Sequence, residues 1–188
     1  MTERTYHHGN LRQELMEKGL QYVERYGVES LSMRKLAESS GVSSAAPYAH
    51  FKNKEDFLKA VQEYITEQFS EILKKTAERC GNGPRLLLEL GKSYVLFFSE
   101  NPTYYRFLFT RGTPDIRDYE PFMIFSSAVC TQPTGGAAGE DAEESRAKTL
   151  ALWSVVHGLA QIATIPGALD PEHLEEEIER ILNAVTIK

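Results

Sequence analysis

Residues 32–54 read SMRKLAESSGVSSAAPYAHFKNK, a run that holds two helix starts, one glycine stop and a cationic end. Ser32 stands where its hydroxyl can accept from a free backbone N–H and cap a helix, and Met33, Leu36 and Ala37 then share one helical face. Gly41 can take the positive φ that closes that helix, with Val42 following as an apolar plug between it and the next. Ser43 is predicted to cap the second helix, and Pro47 in its first turn delays the hydrogen-bond ladder and places the helix start late. Two short helices across a tight glycine turn make a helix-turn-helix. In such motifs the second helix lies in the DNA major groove with its N-terminal residues against base edges, while the first crosses the backbone.

The pattern extends outward on both sides. An amphipathic helix ends at Tyr26-Gly27; then come Ser32-Met33-Arg34, Leu36-Ala37, Gly41-Val42-Ser43, Tyr48, His50-Phe51 and Lys54-Glu55, leading into Phe57-Leu58. This ordered string over the first sixty residues resembles the DNA-binding domain of the TetR family of transcriptional regulators. Further along, Asn101-Pro102 and Leu152-Trp153 with His157-Gly158 resemble a branch of the TetR/AcrR family whose C-terminal domain carries a tryptophan, histidine and glycine signature. The resemblance implies an all-α fold, with an N-terminal three-helix DNA-binding domain joined by a long helix to a C-terminal helical bundle that binds ligand and dimerises. Its implied function is a ligand-responsive transcriptional regulator, a repressor released from a pseudo-palindromic operator by a small apolar or aromatic effector.

Charge is unevenly spread. Residues 1–60 hold nine Lys/Arg against eight Asp/Glu, whereas residues 61–188 hold twelve against nineteen, giving the chain its net charge of −6. An acidic whole argues against non-specific coating of nucleic acid, but DNA reading needs only one basic face. The two cysteines, Cys80 and Cys130, stand far apart with no C-x-x-C, so neither a zinc site nor a disulfide framework is indicated, and a reducing cytoplasm fits. No charged-then-apolar leader opens the sequence. The most apolar helix, near residues 150–165, is interrupted by Trp153, Ser154, His157 and Gln161 and is too short for a bilayer. A soluble, cytoplasmic protein without cofactor or metal is expected.

Leu11, Leu15, Tyr22, Val23 and Tyr26 recur at helical spacing over residues 10–26, and Gly27 stops them. From Lys54 to about Arg79 a longer helix carries Phe57, Leu58, Val61, Ile65, Phe69, Ile72 and Leu73; it is the connector, and the domain boundary is placed inside it, giving domains 1–55 and 56–188. After the break at residues 80–84, helices are predicted near residues 85–99, 102–109, 118–129, 145–165 and 171–185. Residues 131–144, TQPTGGAAGEDAEE, read as a mobile loop, and no strand or internal repeat is evident.

Candidate DNA-binding residues are Ser32, Arg34, Ser43, Ser44, Ala45, Tyr48, His50 and Lys54. Arg34 lies on the face that the family pattern turns toward DNA, where a guanidinium can hold guanine O6 and N7 together; a solvated surface arginine is its plainer reading. The positions of Tyr48, His50 and Lys54 match family contacts to phosphate or sugar, against a packed core tyrosine and a plain surface lysine. Ser32, Ser43 and Ser44 can cap helices with no DNA present. Ser44-Ala45-Ala46-Pro47 departs from the commoner family pattern by offering no long base-reading side chain, which leaves thymine methyls, a versatile hydroxyl and DNA shape. Arg4 and residues 6–10, YHHGN, can form an arm to phosphates or the minor groove, with disorder in the free protein the plainer reading; the adjacent histidines do not make a metal site.

In the C-terminal half, Tyr94, Phe98, Tyr104, Phe107, Met123, Trp153 and His157 are candidate effector contacts, since the resemblance implies a pocket among these helices; the plainer reading of each is core packing. His157, one turn past Trp153, either bonds an effector or is satisfied by a carbonyl or tyrosine. The helix over residues 145–165 is apolar nearly all round, and the last carries a stripe from Leu174, Ile178, Ile181, Leu182 and Val185, so two such helices from each of two chains are expected to form a four-helix homodimer interface. The expected partners are thus an operator in double-stranded DNA, a small effector and a second copy, with no membrane. Two alternatives stay open. One is a small helical enzyme using the aromatic pocket, although no nucleophile-base motif, phosphate loop or metal-ligand spacing occurs. The other is an interaction module that has lost DNA binding.

Overall fold

The computed structural model describes residues 11–109, 115–131 and 142–185. Among them every regular element is helical, and they divide into two compact units between Tyr64 and Ile65, against an expected boundary near residue 55.

The first unit is built on α1 (Leu11–Tyr26), α2 (Met33–Ser40) and the opening turns of α3 (Lys54–Cys80), with 3₁₀ turns at Val28–Ser30 and Ala46–Ala49. Its core gathers Leu15, Met16 and Leu20 of α1, Leu31, Met33, Leu36 and Ala37 of α2 and its approach, and Phe51, Phe57, Leu58 and Val61, all nearly sealed from solvent. Gly19 is a contact requirement: a Cβ there would lie 2.3 Å from Phe57 Cζ, so α1 approaches the Phe57 ring only because it has no side chain at that point. Ser32 caps α2 by accepting from the Lys35 N–H at 3.2 Å. Gly41, at φ +67°, ends it: the Gly41 N–H donates to the Glu38 carbonyl and the Val42 N–H to that of Ala37, the paired bonds of a Schellman close.

The element after this turn differs from the expected helix. Instead of an α-helix capped by the Ser43 side chain there is one 3₁₀ turn, Ala46–Ala49, with no side-chain cap. The cause is Pro47. In an α-helix begun at Ser43, the first intrahelical bond would run from the residue-47 N–H to the Ser43 carbonyl, and proline has no N–H to give. The Ser43 carbonyl accepts instead from the Ala46 N–H at 3.0 Å, one residue earlier, and Tyr48 donates to Ala45 at 3.1 Å in the same i+3 pattern. Asn53 then caps α3 by accepting from the Asp56 N–H, while the Asp56 carboxylate reaches back to the Lys52 N–H, both at 2.8 Å.

The second unit holds the remainder of α3 with α4 (Leu86–Glu100), α5 (Pro102–Phe109), α6 (Glu120–Cys130), α7 (Ala142–Ala163) and α8 (Leu174–Val185). Relative to expectation α7 begins three residues earlier and α8 three later. The last helix therefore leaves Pro171 outside, where it cannot disturb the ladder. α4 is the centre, packing against α5, α6, α7 and α8, and buries Leu86, Leu90, Tyr94, Val95, Phe97 and Phe98. It also buries Lys92, whose ammonium bonds Glu175 and Glu179 of α8 at 2.9 Å each, with Arg85 adding 2.8 Å to Glu179. Burial alone would lower the Lys92 pKa, but the two carboxylates outweigh it and the net shift is upward. The predicted N-terminal arm and most of the predicted mobile loop lie outside the described residues.

Candidate nucleic-acid interface and effector core

The residues singled out for DNA contact occupy α2, the turn after it and the start of α3. Ser32 is exposed, its oxygen engaged in the cap. Arg34, two residues further, has a side chain 83% exposed whose Nε donates to Glu38 Oε1 at 3.0 Å. Its neighbour Lys35 is turned the other way, donating to the Ser30 carbonyl at 3.0 Å with its ammonium over the Tyr22 ring. Arg34 thus stands alone as the long cation of this helix that projects outward.

Ser43, Ser44 and Ala45 are exposed, as expected of a surface that meets another molecule. Tyr48 is 57% exposed, which removes the packed-core reading; Pro47 fills the inward position of that turn instead. His50 and Lys54 are half-buried, Lys54 being the first residue of α3. Val42, expected as a plug, is half-buried too. The interface therefore offers hydroxyls, methyls, a phenol and three cationic or titratable side chains on a short, glycine- and proline-shaped frame. It can hold phosphates through Tyr48, His50, Lys54 and the serines, and reach a base edge through Arg34.

In the second unit Tyr94, Phe98, Trp153 and His157 meet in one aromatic cluster. Tyr94 stands edge-on to Trp153 at 5.1 Å and to Phe69 at 4.9 Å, with Phe98 at 5.3 Å. Tyr94 and Phe98 are fully buried. Trp153, the single tryptophan, is also enclosed by Tyr119, Phe122 and Phe125. His157 bridges two phenols: the Tyr94 hydroxyl lies 2.9 Å from Nδ1 and the Tyr105 hydroxyl 3.1 Å from Nε2, with the His157 carbonyl 3.3 Å from the latter. Burial lowers the His157 pKa, keeping the ring neutral, and one arrangement satisfies every group. Tyr94 donates to Nδ1, Nε2–H donates to the Tyr105 oxygen, and Tyr105 donates to the carbonyl.

The other candidates separate from this cluster. Tyr104 packs on Phe97 at 5.9 Å, and Phe107 is buried on α5. Met123 is 55% exposed, a correction to its place among the core aromatics. It lies two residues from buried Phe125 and so more than half a turn away from the inward face of α6. Tyr105, Phe109 and Tyr119, not among the sequence candidates for effector contact, belong to the cluster; Phe109 stands 4.6 Å from His157 and Tyr119 5.9 Å from Trp153. Among the described residues no group of three metal-ligating side chains occurs, and no helix is long and apolar enough to cross a membrane.

Comparison with known proteins decides the family. Residues 87–185, more than half of the chain, match the family model described as "Tetracyclin repressor-like, C-terminal domain". Residues 15–61 match "Bacterial regulatory proteins, tetR family". The chain belongs to the TetR family. An HTH-type transcriptional regulator of Haemophilus influenzae is 24% identical over 174 residues, covering 87% of this chain and 89% of the relative. The crystal structure of a TetR-family regulator from the same species, also 24% identical, superposes with a TM-score of 0.63 over 94% of this chain and 96% of that one. A tetR-family regulatory protein from Rhodococcus, 19% identical, reaches 0.70 over 93% and 96%. The family is one of DNA-binding transcriptional regulators, not of enzymes, and the all-helical TetR architecture carries this sequence from end to end of the described residues. The first TetR match spans every DNA-contact candidate from Ser32 to Lys54, and the second spans every effector candidate.

Proposed function

We propose that this TetR-family regulator is a homodimeric repressor that grips a pseudo-palindromic operator through its two heads and releases it when a small apolar or aromatic effector enters the C-terminal bundle. The observation that carries the DNA-reading half is the exposure of Arg34, Ser44, Ala45 and Tyr48 on either side of a turn closed by Gly41. Two copies place these side chains about one helical turn apart on the duplex. Phosphate contacts from Ser32, Ser43, Tyr48, His50 and Lys54 set register, and Arg34 reads a base. The DNA-binding domain is the proposed 1–55 portion with the opening of α3, and the proposed effector and dimer domain is the remainder.

The homodimer forms through α7 and α8. Support comes from apolar residues left outside on both: Ile162 of α7 is 47% exposed, Val185 of α8 and Ile165 just past α7 are exposed, and the space over Gly158 is open among the described residues. Effector contacts centre on Tyr94, Trp153 and His157 with Phe98, and with Tyr104 and Phe107 on the flanking α5. An effector favouring one arrangement of this core shifts α3, which runs from core to head, and lowers operator affinity by its differential binding. The interaction-module alternative draws on the brevity of the Ala46–Ala49 turn.

The deciding experiment is selection of random duplex DNA on the purified full-length chain, followed by binding of the enriched duplex at several salt concentrations. An enriched inverted repeat with a steep salt slope supports the operator reading. No enrichment from a folded dimer at low salt refutes it and favours the interaction module.

A further inference from the structure

The Arg34–Glu38 pair is unusual in its place. α2 buries Met33, Leu36 and Ala37, and on the opposite face Arg34 and Glu38 stand one turn apart, 83% and 61% exposed. An exposed i, i+4 ion pair contributes little to stability. A carboxylate beside a DNA-reading cation also repels phosphate, so on affinity alone Glu38 is a liability. The geometry of the bond gives it a use. Glu38 Oε1 accepts from Nε, on the side of the guanidinium, so this bond does not use the two terminal amino groups, which together make an end-on fork. That fork is the shape that matches guanine O6 and N7. Every other residue offered to bases here, Ser44 and Ala45 above all, is short.

We propose that Glu38 is a positioning residue for Arg34: it holds the guanidinium end-on for guanine while its charge weakens binding to DNA of every sequence, so that the pair favours guanine-containing sites over the rest in a head whose 3₁₀ turn carries no long reader. The inference rests on the reading of Arg34 as a base contact. Ordering a long, rotamer-rich side chain at an interface carries an entropic cost equivalent to about two- to tenfold in binding. A side chain already held by Glu38 meets less of it, and only where a guanine is present to accept the fork. The carboxylate's repulsion, in contrast, acts on any duplex. The two effects therefore separate: removing Glu38 tightens non-specific binding and loosens the guanine preference.

The test uses the full-length chain and the duplex enriched by the wild-type protein. Dissociation constants are measured by fluorescence anisotropy across salt concentrations for that duplex, for versions with each guanine replaced, and for a scrambled duplex, with wild type, Arg34→Ala, Glu38→Ala and Glu38→Gln. The guanine whose replacement no longer matters in Arg34→Ala identifies the contact. Both Glu38 variants are expected to bind the scrambled duplex more tightly with a steeper salt slope. Glu38→Ala is expected to lose about two- to tenfold of the preference for that guanine, and Glu38→Gln, which keeps an oxygen for Nε, to lose less. A guanine preference unchanged in Glu38→Ala would overturn the positioning role even if non-specific binding rises, as would a parallel fall in specific and non-specific affinity. No enriched duplex from wild type, or one indifferent to Arg34→Ala, would instead overturn the DNA-reading assignment, and this inference with it. Alanine is a good helix former at this exposed position, so the variants keep the fold, and matching circular dichroism verifies it.

Discussion

Gly19→Ala separates two effects of opposite sign and fixes how tightly the head is built. By helix propensity alone the change in the middle of α1 stabilises by about 1 kcal/mol. The packing says otherwise. The added methyl would lie 2.3 Å from Phe57 Cζ, 3.0 Å from Cε1 and 3.3 Å from Leu36 Cδ1. Carbon atoms rest at about 3.5 Å or more, so the ring has to retreat by roughly 1 Å. Phe57 is 1% exposed and meets the buried Phe51 ring edge-on at 5.1 Å, leaving no open side to swing into. Overpacking of this kind costs about 1–3 kcal/mol, and the locked ring puts it toward the upper end, for a net loss of about 1–2 kcal/mol. For a unit of this size that is a fall of about 4–16 °C in the melting temperature of the head. The assay is thermal unfolding of the full-length chain by circular dichroism, with operator binding measured in parallel. A melting temperature equal to or above wild type would refute the reasoning, because it would mean that the α1–Phe57 contact yields more easily than the ring packing allows.

Four further outcomes are expected. Pro47→Ala restores the N–H that the Ser43 carbonyl lacks, so the Ala46–Ala49 turn should lengthen toward an α-helix in carbon chemical shifts over residues 44–50; a persistent 3₁₀ turn would assign the shape to packing instead of to proline. Tyr94→Phe removes the donor to His157 Nδ1 without changing ring volume, and should destabilise the C-terminal unit by about 1–3 kcal/mol in urea unfolding followed by Trp153 emission, where no change would deny that bond a role. Because burial holds the His157 pKa below its ordinary value, the unfolded chain takes up the proton first, and stability from this group is present above about pH 6.5 and declines as pH falls below it. Urea midpoints between pH 5 and 7.5 should therefore fall less steeply in His157→Gln than in wild type, and equal slopes would contradict the assignment. Gly158→Ala meets nothing within 4 Å among the described residues beyond its own helix and should favour α7, yet it is expected to weaken self-association in sedimentation if the open face receives a second copy; a dimer as tight as wild type would remove Gly158 from the interface.

What could be read from the sequence and what could not divide along the range of the interactions. Ser32 and Gly41 act on groups within a few residues of themselves, so one side chain and its spacing announce the α2 cap and its close. Asn53 and Asp56 carry the same kind of local signal, a cap and its third position, ahead of Lys54. Pro47 announces a disturbance locally, but its full effect depends on removing the one bond that would have started the helix, which follows only when the start is fixed at Ser43. The core pairs are of another kind. Tyr94 and Tyr105 reach His157 across 63 and 52 residues, and Lys92 reaches Glu179 across 87; no local pattern encodes such meetings. A lysine inside the apolar run of α4 was the visible hint, since an ammonium at such a place requires carboxylates, and Glu175 and Glu179 stand at the i, i+4 spacing that supplies two to one cation. The proposed DNA-reading surface is local, so its candidate residues stand together in the sequence, while the residues that would feel an effector are joined only in the folded bundle, where Tyr105, Phe109 and Tyr119 complete a cluster that Met123 does not enter.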